Sequence, residues 1–159
     1  MIHEAVFMRE VEAIERTLYR ICRTLLRSEE DCRDALGSAV LRAWEKRHTL
    51  RDERLFDTWM TRIVINECYT MLRARKKQTR LLEAAAASTP QRAQTQALDA
   101  LYTLPEGLRL PMVLHYVEGY PVKQIARMLR VPVSTVRGRL ERGRKALRLE
   151  LDMDEEDAR

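Results

Sequence analysis

Apolar residues recur three and four positions apart through the first half of the chain. Val11, Ile14, Leu18, Ile21 and Leu25 make one stripe. Cys32, Ala35, Ala39 and Ala43, with Leu36 and Trp44, make a second, and Phe56, Met60 and Ile63, with Trp59 and Val64, a third. This spacing returns side chains to one face of a helix. Ser28 with Asp31 looks like the capping pair that starts the second helix. His48 to Arg54 is polar and reads as a loop, and the third helix runs from Phe56 into Arg73, Arg75, Lys76 and Lys77. Gly37 is the single glycine before Pro90, the first proline, so little interrupts a compact helical bundle.

The second half is punctuated more often. The apolar pattern fails from about Gln78 to Thr95, where Ser88-Thr89-Pro90 and Gln-rich sequence read as a flexible linker. Leu98, Leu101 and Leu104 then lead into Pro105. Pro111 suits the first turn of a helix carrying Leu110, Val113, Leu114 and Val117. Gly119-Tyr120-Pro121 forms a turn, and Val122, Ile125, Ala126 and Leu129 make a short helix broken by Val131-Pro132-Val133. Ser134 is the expected N-cap of a last helix running to about Leu149. The expected class is all-α: two small helical domains joined by a flexible linker, the second with a helix-turn-helix. The expected divisions are a bundle at 1–78, a linker at 79–96, the second domain at 97–150 and a tail at 151–159.

On a wheel, Val136, Leu140, Gly143 and Leu147 of the last helix form a narrow apolar seam. Arg137, Gly138, Glu141, Arg142, Lys145 and Arg148 lie opposite. A short helix, a tight turn and a helix with one basic face make the helix-turn-helix pattern, whose second helix sets its N-terminal residues against base edges. Arg can bridge guanine O6 and N7, and Glu can accept from cytosine N4. A solvated basic face on an ordinary bundle helix is the plainer explanation, and the turn favours DNA.

Charge points the same way. The 159 residues hold 29 Lys and Arg against 24 Asp and Glu, a net +5. Residues 150–159 carry six acids and Arg159, a net −5, which leaves +10 on residues 1–149. A basic body with a short acidic tail suits nucleic acid. A second cluster, Arg73, Arg75, Lys76, Lys77 and Arg80, has no acid between Cys68 and Leu82, and Trp59, Asn66 and Tyr69 lie upstream. Aromatics beside a cationic track suit single-stranded DNA. Phe56, Trp59 and Ile63 fit a core better than a base platform, and terminal cations also complement the helix dipole, which leaves the cluster evenly balanced by itself.

Other chemistries find little support. Cys22, Cys32 and Cys68 are spaced 10 and 36 residues apart, neither a disulfide framework nor a zinc pattern, and suit a reducing cytoplasm. No apolar run approaches a membrane span, and the N-terminus lacks a signal-like pattern. His3, His48 and His115 are scattered, and no nucleophile elbow, phosphate-binding loop or HExxH is present. The expectation is no enzyme, no metal, no cofactor and no small-molecule substrate.

Taken together, the chain resembles the extracytoplasmic-function group of bacterial RNA polymerase sigma factors across roughly residues 5–80 and 95–150. The first half contributes Asp34-Ala-Leu-Gly-Ser-Ala-Val-Leu-Arg-Ala-Trp44, Phe56-Asp-Thr-Trp59 and Arg62-Ile-Val-Ile-Asn66. The second contributes Leu104-Pro-Glu-Gly-Leu-Arg109, Gln124-Ile-Ala126 and Pro132-Val-Ser-Thr-Val-Arg137, continuing through Arg139-Leu140 to Arg142. Each motif alone is weak, but in this order and spacing they are specific.

The resemblance implies a set of roles. Asp34, Gly37, Ser38, Leu41 and Trp44 would dock on the clamp helices of the polymerase β′ subunit, with further contact to the β subunit. His48, Arg54, Phe56, Asn66, Tyr69, Arg73, Lys76 and Lys77 would engage the opened −10 element. Ser134, Thr135, Arg137, Gly138, Glu141, Arg142 and Lys145 would read the −35 element as duplex. The linker would thread towards the RNA exit path, and an anti-sigma factor, often membrane-anchored, would hold the protein inactive. Three positions depart from the family pattern: Gly37-Ser38 where Gln-Glu is usual, Arg130 where Gly usually closes the turn, and Gly138 where Ser is usual. A free-standing helix-turn-helix regulator with a sensing or dimerising bundle is the main alternative. An interaction protein on a sigma-like scaffold is a third.

Overall fold

The computed structural model describes residues 1–82 and 100–157, with side chains to residue 81 and from 100 to 148. The chain divides into two units, Met1–Arg92 and Ala93–Arg159. No strand occurs among the described residues. Leu98 and most of the expected linker lie outside them.

The first unit packs α1 (Glu4–Leu25), α2 (Glu29–Glu45) and α3 (Phe56–Leu82) against one another. The α1 stripe is buried at Val11, Leu18, Ile21 and Leu25, with Phe7 added and Ile14 half-buried. Cys32, Ala35, Ala39 and Ala43 of α2 are each at most 1% exposed, and such small side chains allow close helix approach. Ser28 Oγ accepts from Asp31 N at 3.3 Å, as a capping pair should. The Asp31 carboxylate does not complete the reciprocal half of a capping box; it pairs with Arg75 of α3. Arg42 of α2 reaches Glu67 of α3 at 2.6 Å, a second polar tie between these helices.

The region from His48 to Arg54 is more ordered than its polarity suggests. Two 3₁₀ turns, Arg47–Thr49 and Glu53–Leu55, join α2 to α3. Asp52 accepts from Arg54 N at 3.0 Å, and the paired Arg54 guanidinium holds its carboxyl below the usual carboxylate range. Residues 79–82, read from sequence as linker, continue α3 because Gln78 to Leu82 contains no breaker.

The second unit contains α4 (Glu106–Met112), a π-helical turn (Val113–Val117), α5 (Val122–Leu129) and α6 (Val133–Asp157). Pro111 is not in the first turn, as its fixed φ suggested. Pro105 caps α4, its carbonyl accepting from Leu108 N and Arg109 N, so Pro111 is the sixth helical residue. The helix then widens, with Glu118 N bonded to Val113 O at 3.0 Å, five residues back. Arg109, 9% exposed, donates to the carbonyls of Leu101, Tyr102 and Leu104 and pins the preceding turn.

The expected cap at Ser134 is likewise displaced, here by two positions. Pro132 lacks an N–H but offers its carbonyl to Thr135 N and Val136 N, so α6 starts at Val133 and Ser134 stands in its first turn. The helix also runs past Leu149 to Asp157, because no Gly or Pro follows Gly143. Gly143 has a packing reason: a Cβ there would lie 2.8 Å from Met112 Cγ and Sδ, so α4 and α6 meet closely at this point.

Candidate nucleic-acid interface

On α6 the seam and the basic face separate as the wheel predicts. Val136 and Leu140 are 0% and 3% exposed, Gly143 is buried and Leu147 half-buried. Ser134, Arg137, Glu141, Arg142 and Lys145 are exposed, while Thr135 and Gly138 are half-buried beside them. Glu141 pairs with Lys145 at 3.3 Å. A Cβ at Gly138 would meet Arg142 at an ordinary 3.7 Å, so packing does not require the missing side chain. The turn before this helix is closed by Arg130 in the left-handed region, φ 55 and ψ 46. Val131 N completes it by bonding to Ala126 O at 3.1 Å. Arg137 and Arg142 can donate to a base and Glu141 can accept from one, on a helix held from behind. That combination allows base-edge hydrogen bonding in a major groove.

On α3, Asn66, Tyr69, Arg73 and Lys76 follow one another at spacings of three and four and share one face. Asn66, Arg73, Lys76 and Lys77 are exposed and Tyr69 half-buried. Every side chain from Arg73 to Leu81 is exposed. Arg75 belongs partly to the fold through Asp31, which lowers its value as a phosphate contact. Phe56 requires a correction: at 2% exposure it is a core residue and does not reach this surface. Its ring packs edge-on to Phe7 at 5.8 Å and beside Trp59 at 5.8 Å, because the apolar stripe of α3 begins with it.

His48 and Arg54 are exposed in the connection before α3. Sequence reasoning missed how that connection is held. Trp59 Nε1 donates to Thr49 Oγ1 at 3.1 Å, and Arg47 lies 4.0 Å from the Trp44 ring centre and donates to Trp44 O. The signal available was a cation and a hydroxyl flanking His48, each within reach of a tryptophan.

The α2 residues expected from sequence to meet the polymerase lie along one stripe. Asp34, Gly37, Ser38 and Leu41 are exposed, with Leu41 at 68%, and Trp44 is half-buried, edge-on to Phe7 at 5.2 Å. Leu41 is therefore an apolar side chain the fold itself does not cover. The three cysteines lie inside. Cys68 Sγ donates to Cys22 Sγ at 3.6 Å, and burial pushes the Cys32 thiol up to about 11, the opposite of an activated nucleophile. Among the described residues no group of three or more His, Cys, Asp or Glu could hold a metal ion.

Comparison with known proteins decides the family. Residues 11–78 match Sigma-70 region 2, and residues 94–147 match Sigma-70, region 4. The ECF RNA polymerase sigma factor SigM of Mycobacterium tuberculosis H37Rv is 34% identical over 137 residues, spanning 83% of this chain and 70% of SigM. The chain is an extracytoplasmic-function sigma factor of the sigma-70 family. It binds core RNA polymerase and directs promoter-specific initiation of transcription, and its family is not a class of enzymes. The RNA polymerase sigma-E factor of Streptomyces coelicolor is 31% identical over 159 residues, covering 96% of this sigma factor and 90% of that one.

Two solved structures share its fold. RpoE from Bartonella quintana, in complex with the anti-sigma factor NepR, superposes with a TM-score of 0.80 at 19% identity, covering 93% of this chain and 98% of RpoE. CnrH, in complex with the cytosolic domain of CnrY, gives 0.74 at 24% identity, covering 96% and 91%. The free-standing regulator considered from sequence alone gives way to this assignment.

Proposed function

We propose that the sigma factor divides promoter recognition between its two units. The bundle, residues 1–78, engages polymerase through α2 and the opened −10 strand through α3. The helix-turn-helix unit, residues 97–150, reads the −35 duplex, and residues 79–96 span the distance between them. One observation carries this reading. The α6 face is cationic and acidic together on a helix whose opposite side is buried, whereas the α3 cations Arg73, Lys76 and Lys77 are exposed with no acid among them. Base discrimination needs donors and acceptors in fixed register; holding a melted strand needs cations and a stacking ring.

In this reading Arg137 and Arg142 address guanine, Glu141 addresses cytosine, and Ser134, Thr135 and Lys145 hold the flanking backbone. Asn66 and Tyr69 receive an unstacked base while Arg73, Lys76 and Lys77 follow phosphates, with His48 and Arg54 at the edge. Asp34, Gly37, Ser38, Leu41 and Trp44 supply the β′ contact, and the β subunit receives the second unit. The structural neighbours in complex with anti-sigma factors support such a partner here, covering the exposed Leu41 face. No helix among the described residues is long and apolar enough to cross a membrane. In this reading the protein works where core polymerase is, in the cytoplasm. Charge reversal at Arg137 or Arg142 is expected to abolish promoter-specific transcription while core polymerase is retained normally in a pull-down. Equal loss of both would refute the division.

A further inference from the structure

The outer side of α5 carries a third cationic row that neither promoter-reading face includes. Lys123 and Arg127 stand four residues apart, Arg130 follows three later, and all three are exposed. Ile125, Ala126 and Met128 are buried on the other side of the same helix. Among the described residues none of the three cations has an ion-pair partner. An uncompensated row of like charge four and three residues apart weakens a helix slightly, so packing does not account for it.

Arg130 adds an independent observation. It is the one non-glycine residue among those described with a positive φ, at 55°. Glycine adopts this conformation without a Cβ penalty, and an L side chain does not. Complementing the helix dipole explains a cation near this end, but Arg127 in the last turn already supplies one. A strained position occupied by a long, exposed guanidinium is the pattern expected where the side chain binds something. In a helix-turn-helix, the first helix crosses the sugar–phosphate backbone while the second lies in the groove. We infer that Lys123, Arg127 and Arg130 form a sequence-independent anchor for duplex DNA phosphates, fixing the height and register at which α6 meets the bases. The inference rests on the proposed duplex-reading role of α6.

The full-length chain can be titrated with a fluorescein-labelled 30-bp duplex of mixed sequence across 50–300 mM salt. Removing one cation–phosphate pairing lowers the salt slope by about 0.9, which corresponds to roughly fivefold in affinity at 0.15 M salt. Arg130→Gly is expected to weaken binding about fivefold, equally on unrelated duplexes, with a Tm no lower than the parent. Combining it with Lys123→Ala and Arg127→Ala is expected to bring the loss to roughly a hundredfold and the slope change to about 2.7. Unchanged affinity and slope in the triple variant would overturn the anchor, as would a lower Tm in Arg130→Gly with unchanged binding. Arg142→Ala in the same titration separates the two claims. If it weakens binding and the triple variant does not, only the anchor fails. If neither changes binding, or the parent chain does not bind at 50 mM salt, the duplex-reading role of α6 fails with it.

Discussion

The basic rows of α3 and α6 have similar charge and different support. On α6, Arg137, Glu141 and Arg142 project from a helix whose back is pinned by Val136, Leu140 and the close Gly143–Met112 approach. On α3, the buried part ends near Cys68, and from Arg73 to Leu81 every side chain is exposed, with Arg75 alone tied back to Asp31 of α2 among the ion pairs found there. The first arrangement fixes side-chain positions to the tolerance that hydrogen bonding to bases demands. The second would suit a flexible strand, as proposed for it, because electrostatic attraction tolerates misplacement. Net charge alone would have scored the two rows alike; what lies behind them sets them apart.

Removing the acid from the pinned row is the strongest way to break the comparison. Glu141→Ala is expected to relax discrimination at one −35 position by about 1–3 kcal/mol, leaving affinity for other bases little changed. Selection from a randomised −35 library with holoenzyme checks this; loss at every position alike would mean Glu141 is structural. On the other row, Lys76→Ala with Lys77→Ala is expected to slow open-complex formation roughly tenfold at 0.15 M salt, from about 0.7 in salt slope per phosphate. Duplex binding should fall less. A larger effect on the closed complex would reverse the assignment of the two rows.

The smallest expected effect contrasts two glycines. Nothing lies within 4 Å of a Cβ at Gly37, whereas one at Gly143 meets Met112. Gly37→Ala should stabilise its helix by about 1 kcal/mol, a Tm rise of a few degrees. Gly143→Ala gains the same propensity but must displace Met112, and overpacking of this kind costs about 1–3 kcal/mol. Thermal melts should therefore place Gly143→Ala no higher than the parent and below Gly37→Ala.

Much of the fold is legible in the sequence. The stripes at three and four residues locate α1, α2, α3 and α5, because each helix buries one continuous face and local spacing reports that directly. The seam of α6 is legible for the same reason. Prolines mislead twice: at Pro105 and Pro132 the carbonyl does the capping, and a rule about side-chain hydroxyls or proline's own φ does not register it. Phe56 misleads because an aromatic beside a basic track has the same spelling whether it stacks on a base or on Phe7. The Asp31–Arg75 pair joins residues 44 apart and carries no local signal at all. The positive φ of Arg130 is foreseeable only through the glycine that usually closes such a turn.

Reconstitution tests the central claim most directly. Purified chain, core RNA polymerase and a genomic DNA library are combined, and transcript 5′ ends are mapped. The account predicts a discrete set of new starts, each preceded by one −35 and one −10 sequence at constant spacing. New starts that share no upstream sequence, or none beyond those of core polymerase alone, would contradict it.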